Sequence, residues 1–198
     1  MAWVIVGLGN PGAEYDSTRH NAGRIAVMKF VKDIGIDTWK EEKKTKATVA
    51  KGALGKELVV CVLPDTFMNK SGNAVAHYVK SQKAAERMIV IYDDLDLPLG
   101  KMKMSFDRAS GGHKGLESVT RAVKTKKFTR IRIGVSPATM SGTLKKPQGE
   151  KAVLDFILSK FKPDEVDELK KVIKRSSAAT QTSIEKGPLI AMNEFNRN

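Results

Sequence analysis

Apolar residues along the chain recur with two alternating periods, and the switches between them predict a series of short strands and helices. Ala2 to Leu8 is a continuous apolar run of strand length, while Ala22 to Ile34 carries Val27, Phe30, Val31 and Ile34 on one helical face and closes at Gly35. Lys46 to Ala53 and Glu57 to Leu63, joined around Gly55, predict a hairpin. A helix over Ala74 to Val79 follows, with Val75, Tyr78 and Val79 inward, and Met88 to Tyr92 is a further buried strand. Lys101 to Phe106 alternates charge with Met or Phe, the pattern of a half-exposed strand. A glycine loop then leads to a helix over Leu116 to Val123 and a second alternating strand over Thr129 to Val135. Pro137 to Gly149, rich in Gly, Pro, Ser, Thr and Lys, reads as a mobile loop. Residues 151–187 beyond it hold helices over Ala152 to Phe161 and Asp164 to about Glu185, stopped by Gly187-Pro188.

Strands alternating with helices, interrupted by one antiparallel hairpin, imply an α/β fold with a mixed, twisted β-sheet surrounded by helices. The 198 residues suit a single globular domain, residues 1–198, with enough chain to bury most of its apolar surface.

Charge narrows the class of partner. The 35 Lys and Arg against 22 Asp and Glu give a net charge of +13, spread through Lys40 to Lys46, Lys124 to Lys127, Lys170 to Arg175 and other short runs. The charge belongs to the folded body rather than to a tail, which points to a polyanionic partner. With 6% aromatic residues and no aromatic-basic repeat, phosphate contacts to a shaped RNA fit better than a base-stacking platform. Cys61, the one cysteine, lies in the apolar run Leu58 to Leu63 and reads as a core residue. His20, His77 and His113 fall in three separate segments without ligand-like spacing, so no metal is expected. Neither a leader pattern nor an apolar run of membrane-spanning length is present, which predicts a soluble, cytoplasmic protein.

Four polar, turn-rich segments adjoin predicted strands: Thr18 to Asn21 (TRHN), Pro64 to Gly72 (PDTFMNKSG), Tyr92 to Pro98 (YDDLDLP) and Gly111 to Gly115 (GGHKG). An α/β fold can gather such loops at one edge of its sheet. His20 titrates near neutrality and can move protons, provided that a carboxylate fixes its tautomer and stabilises its protonated form; Asp93, Asp94 and Asp96 are the candidates. The chain has no Gly-x-Ser-x-Gly elbow and no reactive cysteine, so water must be the nucleophile. Asn10, Asn69 and the His113-Lys114 pair are the available oxyanion donors. Phe67 and Met68 with Asn69 suit a groove that accepts varied side chains and fixes one polar end; the alternative is a helix entry with Asn69 or Ser71 as cap.

Two further patterns carry chemistry. Gly7-Leu8-Gly9-Asn10-Pro11-Gly12 is a literal dinucleotide fingerprint, but no helix opens directly after it and no acidic partner follows about twenty residues on. The glycines are better read as a tight turn that presents the Asn10 amide, whose carbonyl and NH2 can pair with a substrate amide. Arg130 and Arg132 share one strand face, with Lys103 as a neighbour, and a guanidinium fork suits a terminal phosphate.

From Trp3 to about Gly134 these motifs, in matching order, resemble bacterial-type peptidyl-tRNA hydrolase; the likeness thins beyond that point. The resemblance implies a cofactor-independent monomer that hydrolyses the ester bond of peptidyl-tRNA and frees the tRNA for translation. It implies catalytic roles for His20, Asp93 and Asn10, with Asp93 as partner of the histidine. It implies substrate and tRNA contacts at Tyr15, Phe67, Met68, Asn69, His113, Lys114, Lys103 and Arg132. The family clamps the tRNA 5′ phosphate with a lysine and an arginine. Arg132 matches the arginine, but Ser105 stands at the lysine position, so Lys101 or Lys103 is expected to substitute. The family pattern Gly-Gly-His-Asn-Gly has Lys114 for its asparagine here, and that ammonium either enters the site or turns outward to tRNA-facing charge. These departures keep a non-catalytic RNA-binding protein of the same fold as the alternative. A nucleotide-binding oxidoreductase is a second rival.

Overall fold

The N-terminal apolar run becomes the middle strand of a seven-stranded sheet in the computed structural model, which describes residues 1–36, 38–139 and 143–197. In chain order the elements are β1 (Trp3–Gly7), α1 (Ala22–Asp33), β2 (Trp39–Glu42), β3 (Ala47–Leu54), β4 (Glu57–Pro64), α2 (Ser71–Val75) and α3 (Gln82–Ala85). There follow β5 (Met88–Pro98), β6 (Met102–Phe106), α4 (Lys114–Val123), β7 (Thr129–Ser136), α5 (Glu150–Ile157), α6 (Val166–Lys186) and α7 (Pro188–Phe195).

The sheet order is β2-β3-β4-β1-β5-β7-β6, with β4, β1, β5 and β7 parallel and the outer strands antiparallel. Parallel strands are buried on both faces, and the alternation along β1 divides the core accordingly. Ile5 packs with Val27, Phe30, Leu169 and Ile173 from α1 and α6, while Val4 and Val6 face Val75, Leu116 and Val119 from α2 and α4. Cys61 is fully buried among the first group, and burial pushes its thiol pKa up, so it is an inert core residue as the sequence predicts. At Gly23 a Cβ would lie 2.2 Å from the Ile91 carbonyl oxygen. Only glycine lets α1 approach β5 this closely, which brings the turn just before α1 against the carboxyl ends of the parallel strands.

The structure departs from the sequence expectation in several elements. β5 runs on from Tyr92 to Pro98, because Asp94 pairs with Gly134 and, past an irregularity, Pro98 with Ser136 of β7. β2 and α3 are added, and the helix expected over Ala74 to Val79 starts instead at Ser71, led in by a 3₁₀ turn over Met68–Lys70. Helix α5 spans Glu150–Ile157 rather than Ala152 to Phe161. Gly187-Pro188 does end α6, but Pro188 also opens α7, since proline suits the first turn of a helix. Of the segment read as a mobile loop, residues 140–142 lie outside the described residues; Ala138 and Leu144 form an antiparallel bridge.

Candidate active site

The turn Thr18–Asn21 enters α1 through a 3₁₀ turn, and its side chains build the site from the inside out. Asn21 clamps the backbone of Asn10: its Oδ1 accepts from Asn10 N at 2.8 Å and its Nδ2 donates to Asn10 O at 3.0 Å. A Cβ at Gly9 would meet Asn21 Oδ1 at 2.7 Å, so the glycine of the apparent dinucleotide motif makes room for this clamp. Asn10 Oδ1 in turn accepts from Met68 N at 2.9 Å. The amide carbonyl expected to face substrate thus already accepts one bond from the Phe67–Asn69 loop, while the NH2 is left for the cleft.

His20 and Asp93 meet as the resemblance implies. His20 Nδ1 lies 2.9 and 3.0 Å from the two carboxylate oxygens of Asp93, which is only 3% exposed at its place in β5. His113 Nε2 lies 3.0 Å from the same Oδ1. The Nδ1 of His113 accepts the backbone N–H of Leu116 at 3.1 Å and so caps α4. A backbone N–H can only donate, so His113 carries its proton on Nε2 and gives it to Asp93. Asp93 therefore receives two N–H donors, and the Nδ1 proton of His20 leaves Nε2 with its lone pair free. Among the described residues that nitrogen has no protein partner.

Electrostatics follow from these contacts. Burial alone would raise the Asp93 pKa, but the two histidines hold its carboxyl far below the usual range. Burial alone would lower the His20 pKa, and the charge and hydrogen bond of Asp93 outweigh it, so His20 titrates above its ordinary 6.5. Tyr92 stands edge-on to the His113 ring with centroids 4.9 Å apart, and burial pushes its phenol up to about 12.

The His20, Asp93 and His113 ligand atoms lie within 4.8 Å of one another. Spacing in the sequence argued against ligands, yet folding brings two of the three histidines to one carboxylate. The nitrogens that face it are the ones already bonded to Asp93, so a metal here would have to break the arrangement that orients His20.

His20 opens on a cleft of about 1360 Å³ whose lining includes Asn10, Tyr15, Phe67, Met68, Asn69 and Lys114. Phe67 and Asn69 are exposed at its rim, whereas Met68 is buried and divides itself between the core and the cleft wall. His113, expected to bind substrate, lines the cleft and is also tied to Asp93. Lys114 follows the outward alternative: its side chain is 67% exposed and its Nζ lies 3.4 Å from Glu150 Oε1 on α5. Lys103 is the register partner of Arg132, and Lys103 rather than Lys101 borders the cleft. Arg132 is not a free phosphate fork, since its Nε is bonded to Asp94. Asp96 pairs with Lys146, so neither remaining acid competes with Asp93 for His20. Sequence reading assigned no role to Asn21 or Arg19, although both flank His20; adjacency to the histidine was the available signal.

Comparison with known proteins places the whole chain. The model of the family described as peptidyl-tRNA hydrolase matches residues 4–198. A peptidyl-tRNA hydrolase of Aquifex aeolicus is 38% identical over 195 residues, covering 98% of this chain and 96% of that protein. The one of Alkaliphilus oremlandii is 37% identical, covering 98% of both. The crystal structure of peptidyl-tRNA hydrolase from Acinetobacter baumannii superposes with a TM-score of 0.87 at 30% identity, covering 99% of this chain and 95% of that one. The family model and these relatives match the chain over nearly its whole length, and they lead to one conclusion: the chain belongs to the peptidyl-tRNA hydrolase family.

Proposed function

We propose that this protein hydrolyses the ester between the C-terminal carbonyl of a peptide and the 3′ ribose oxygen of tRNA. The carrying observation is the His20 imidazole, held by Asp93 through Nδ1 with Nε2 unengaged at a cleft wall. In the reaction a water attacks the ester carbonyl carbon while His20 Nε2 takes its proton. The tetrahedral intermediate then collapses, the bond to the ribose oxygen breaks, and the imidazolium returns the proton to that oxygen. Asp93 keeps Nδ1–H in place and stabilises the charged ring in between. The Asn10 NH2 and the Asn69 amide are the neutral donors available to the peptide and to the developing oxyanion.

The basic surface supports tRNA as the polyanionic half of the substrate, with Lys103 at the cleft as the phosphate-facing cation beside Arg132, whose guanidinium is held by Asp94. On the same reading the protein works in the cytoplasm as a monomer, as the family resemblance implies. A binding-only RNA protein is the poorer account, because the histidine, its carboxylate and both asparagines are all retained at the cleft. Release of free tRNA from an N-acetylated aminoacyl-tRNA, measured beside the unblocked form, tests the reading. Hydrolysis of the blocked ester with the unblocked one spared is expected, and tight binding of both without turnover would favour the binding-only alternative.

Lys114 bears on the same choice. With its ammonium turned to Glu150, it supplies no oxyanion contact. Lys114→Asn is therefore expected to change turnover by much less than the roughly 10²–10³-fold cost of losing an oxyanion donor. An inert parent protein that gains activity on this substitution would return the binding-only reading to first place.

A further inference from the structure

Helix α5 is attached to the body without a core of its own. None of its residues is fully buried, yet Val153, Leu154 and Ile157 form an apolar wall of the cleft. Among the described elements it packs chiefly against the turn that carries His20. The join is a short two-stranded bridge: Arg19 N donates to Ser159 O at 3.1 Å and Phe161 N to Ser17 O at 3.3 Å, with Thr18 opposite Lys160.

Arg19 fills the angle between these strands. It is 2% exposed, and its guanidinium carbon lies 4.5 Å from the centre of the Phe156 ring and 5.0 Å from that of Phe161. Its Nη2 donates to Glu165 Oε2 at 2.7 Å, its Nη1 to Val135 O at 3.3 Å and its Nε to Ser159 Oγ at 3.3 Å. One side chain thus joins the end of β7, the last turn of α5 and the entry to α6. A buried apolar residue could fill the space with less desolvation, but only a planar fork stacked between two rings fixes direction at all three points. The next residue in the chain is His20.

We infer that Arg19 is a positioning residue that couples the apolar wall on α5 to the general base, so that wall and base keep one relative placement. The inference rests on the hydrolase reading above. It is tested with Arg19→Met, with Arg19→Lys, and with Arg19→Met combined with Glu165→Met, which removes the carboxylate that the single change leaves without its cation, together with its bond from Lys162 N. Thermal unfolding, kcat and KM on a blocked aminoacyl-tRNA, and hydrogen exchange over residues 17–22 and 150–161 are measured on each. Both Met variants are expected to lose about tenfold to 10²-fold in kcat where fully folded, the scale of a small misplacement of a catalytic group. The acidic limb of the pH profile should stay in place, because the Asp93 contacts are untouched, while α5 amides exchange faster together with those of the His20 turn. Arg19→Lys, which keeps the charge but not the fork, should recover only part of the rate. A double variant that regains both parental melting temperature and parental kcat would reduce Arg19 to a structural role and overturn the inference, as would unchanged exchange in α5. A parental protein without turnover would instead sink the hydrolase reading, leaving the exchange result to decide the coupling.

Discussion

Replacing His20 with alanine is expected to lower turnover of a blocked aminoacyl-tRNA by about 10²–10⁴-fold, the range over which a positioned general base contributes. The change removes an imidazole nitrogen that has no protein partner among the described residues, and Asn10, Asn69 and the basic rim remain to bind substrate. Because His20 sits in a turn rather than in either apolar core, the fold should persist and tRNA affinity should stay near that of the parent. The Nδ1–Asp93 bond is lost, but His113 still occupies the carboxylate, which limits the cost of leaving Asp93 buried. Turnover by the folded variant within a few-fold of the parent rate would remove His20 from the mechanism.

Why the pair His20–Asp93 could be foreseen, and the rest of its setting could not, has a physical answer. His20 lies in the connection after β1 and Asp93 follows the apolar run of β5, its neighbour in the sheet, so a rule about residues at the ends of apolar runs is enough to bring them together. The place of His113 at the cleft is legible in the sequence, but its bond to Asp93 is not. A histidine that caps a helix locally and bonds a carboxylate 20 residues away shows no pattern in sequence. The same holds for Asn10, whose carbonyl is claimed by a backbone N–H 58 residues on.

The missed parts of the fold share a cause as well. The apolar run ends at Tyr92, yet β5 continues through three aspartates, because Asp93 accepts hydrogen bonds from two histidines and Asp94 is paired with Arg132. Charge inside a strand is legible only after its partners are known. Arg19 is the extreme case: a cation next to a catalytic histidine invites an electrostatic role, while the structure surrounds it with rings, a carboxylate and a carbonyl from the far end of the chain.

Asp93→Asn is expected to have the second large effect, and here the pH profile says more than the rate. The free enzyme needs neutral His20 to act as base, so activity in the parent rises with pH through a value above 6.5, raised there by Asp93. Asparagine is neutral and stabilises the imidazolium less, so the acidic limb should move to lower pH. The rate at the plateau should nevertheless fall. The amide has one acceptor for the two N–H groups that now share the carboxylate, and if its Oδ1 stays with His113, its NH2 faces His20 Nδ1. An NH2 there forces Nδ1 to accept, which moves the ring proton to Nε2 and disables the base; the corresponding change in serine proteases costs about 10⁴-fold in kcat. A plateau loss of about 10²–10⁴-fold, with the limb displaced downward, is the expected outcome in kcat/KM measured across pH. A fall in rate with the limb unmoved would mean that Asp93 acts through packing rather than charge. An upward shift would mean that the histidine reported by the profile is held by some other acid.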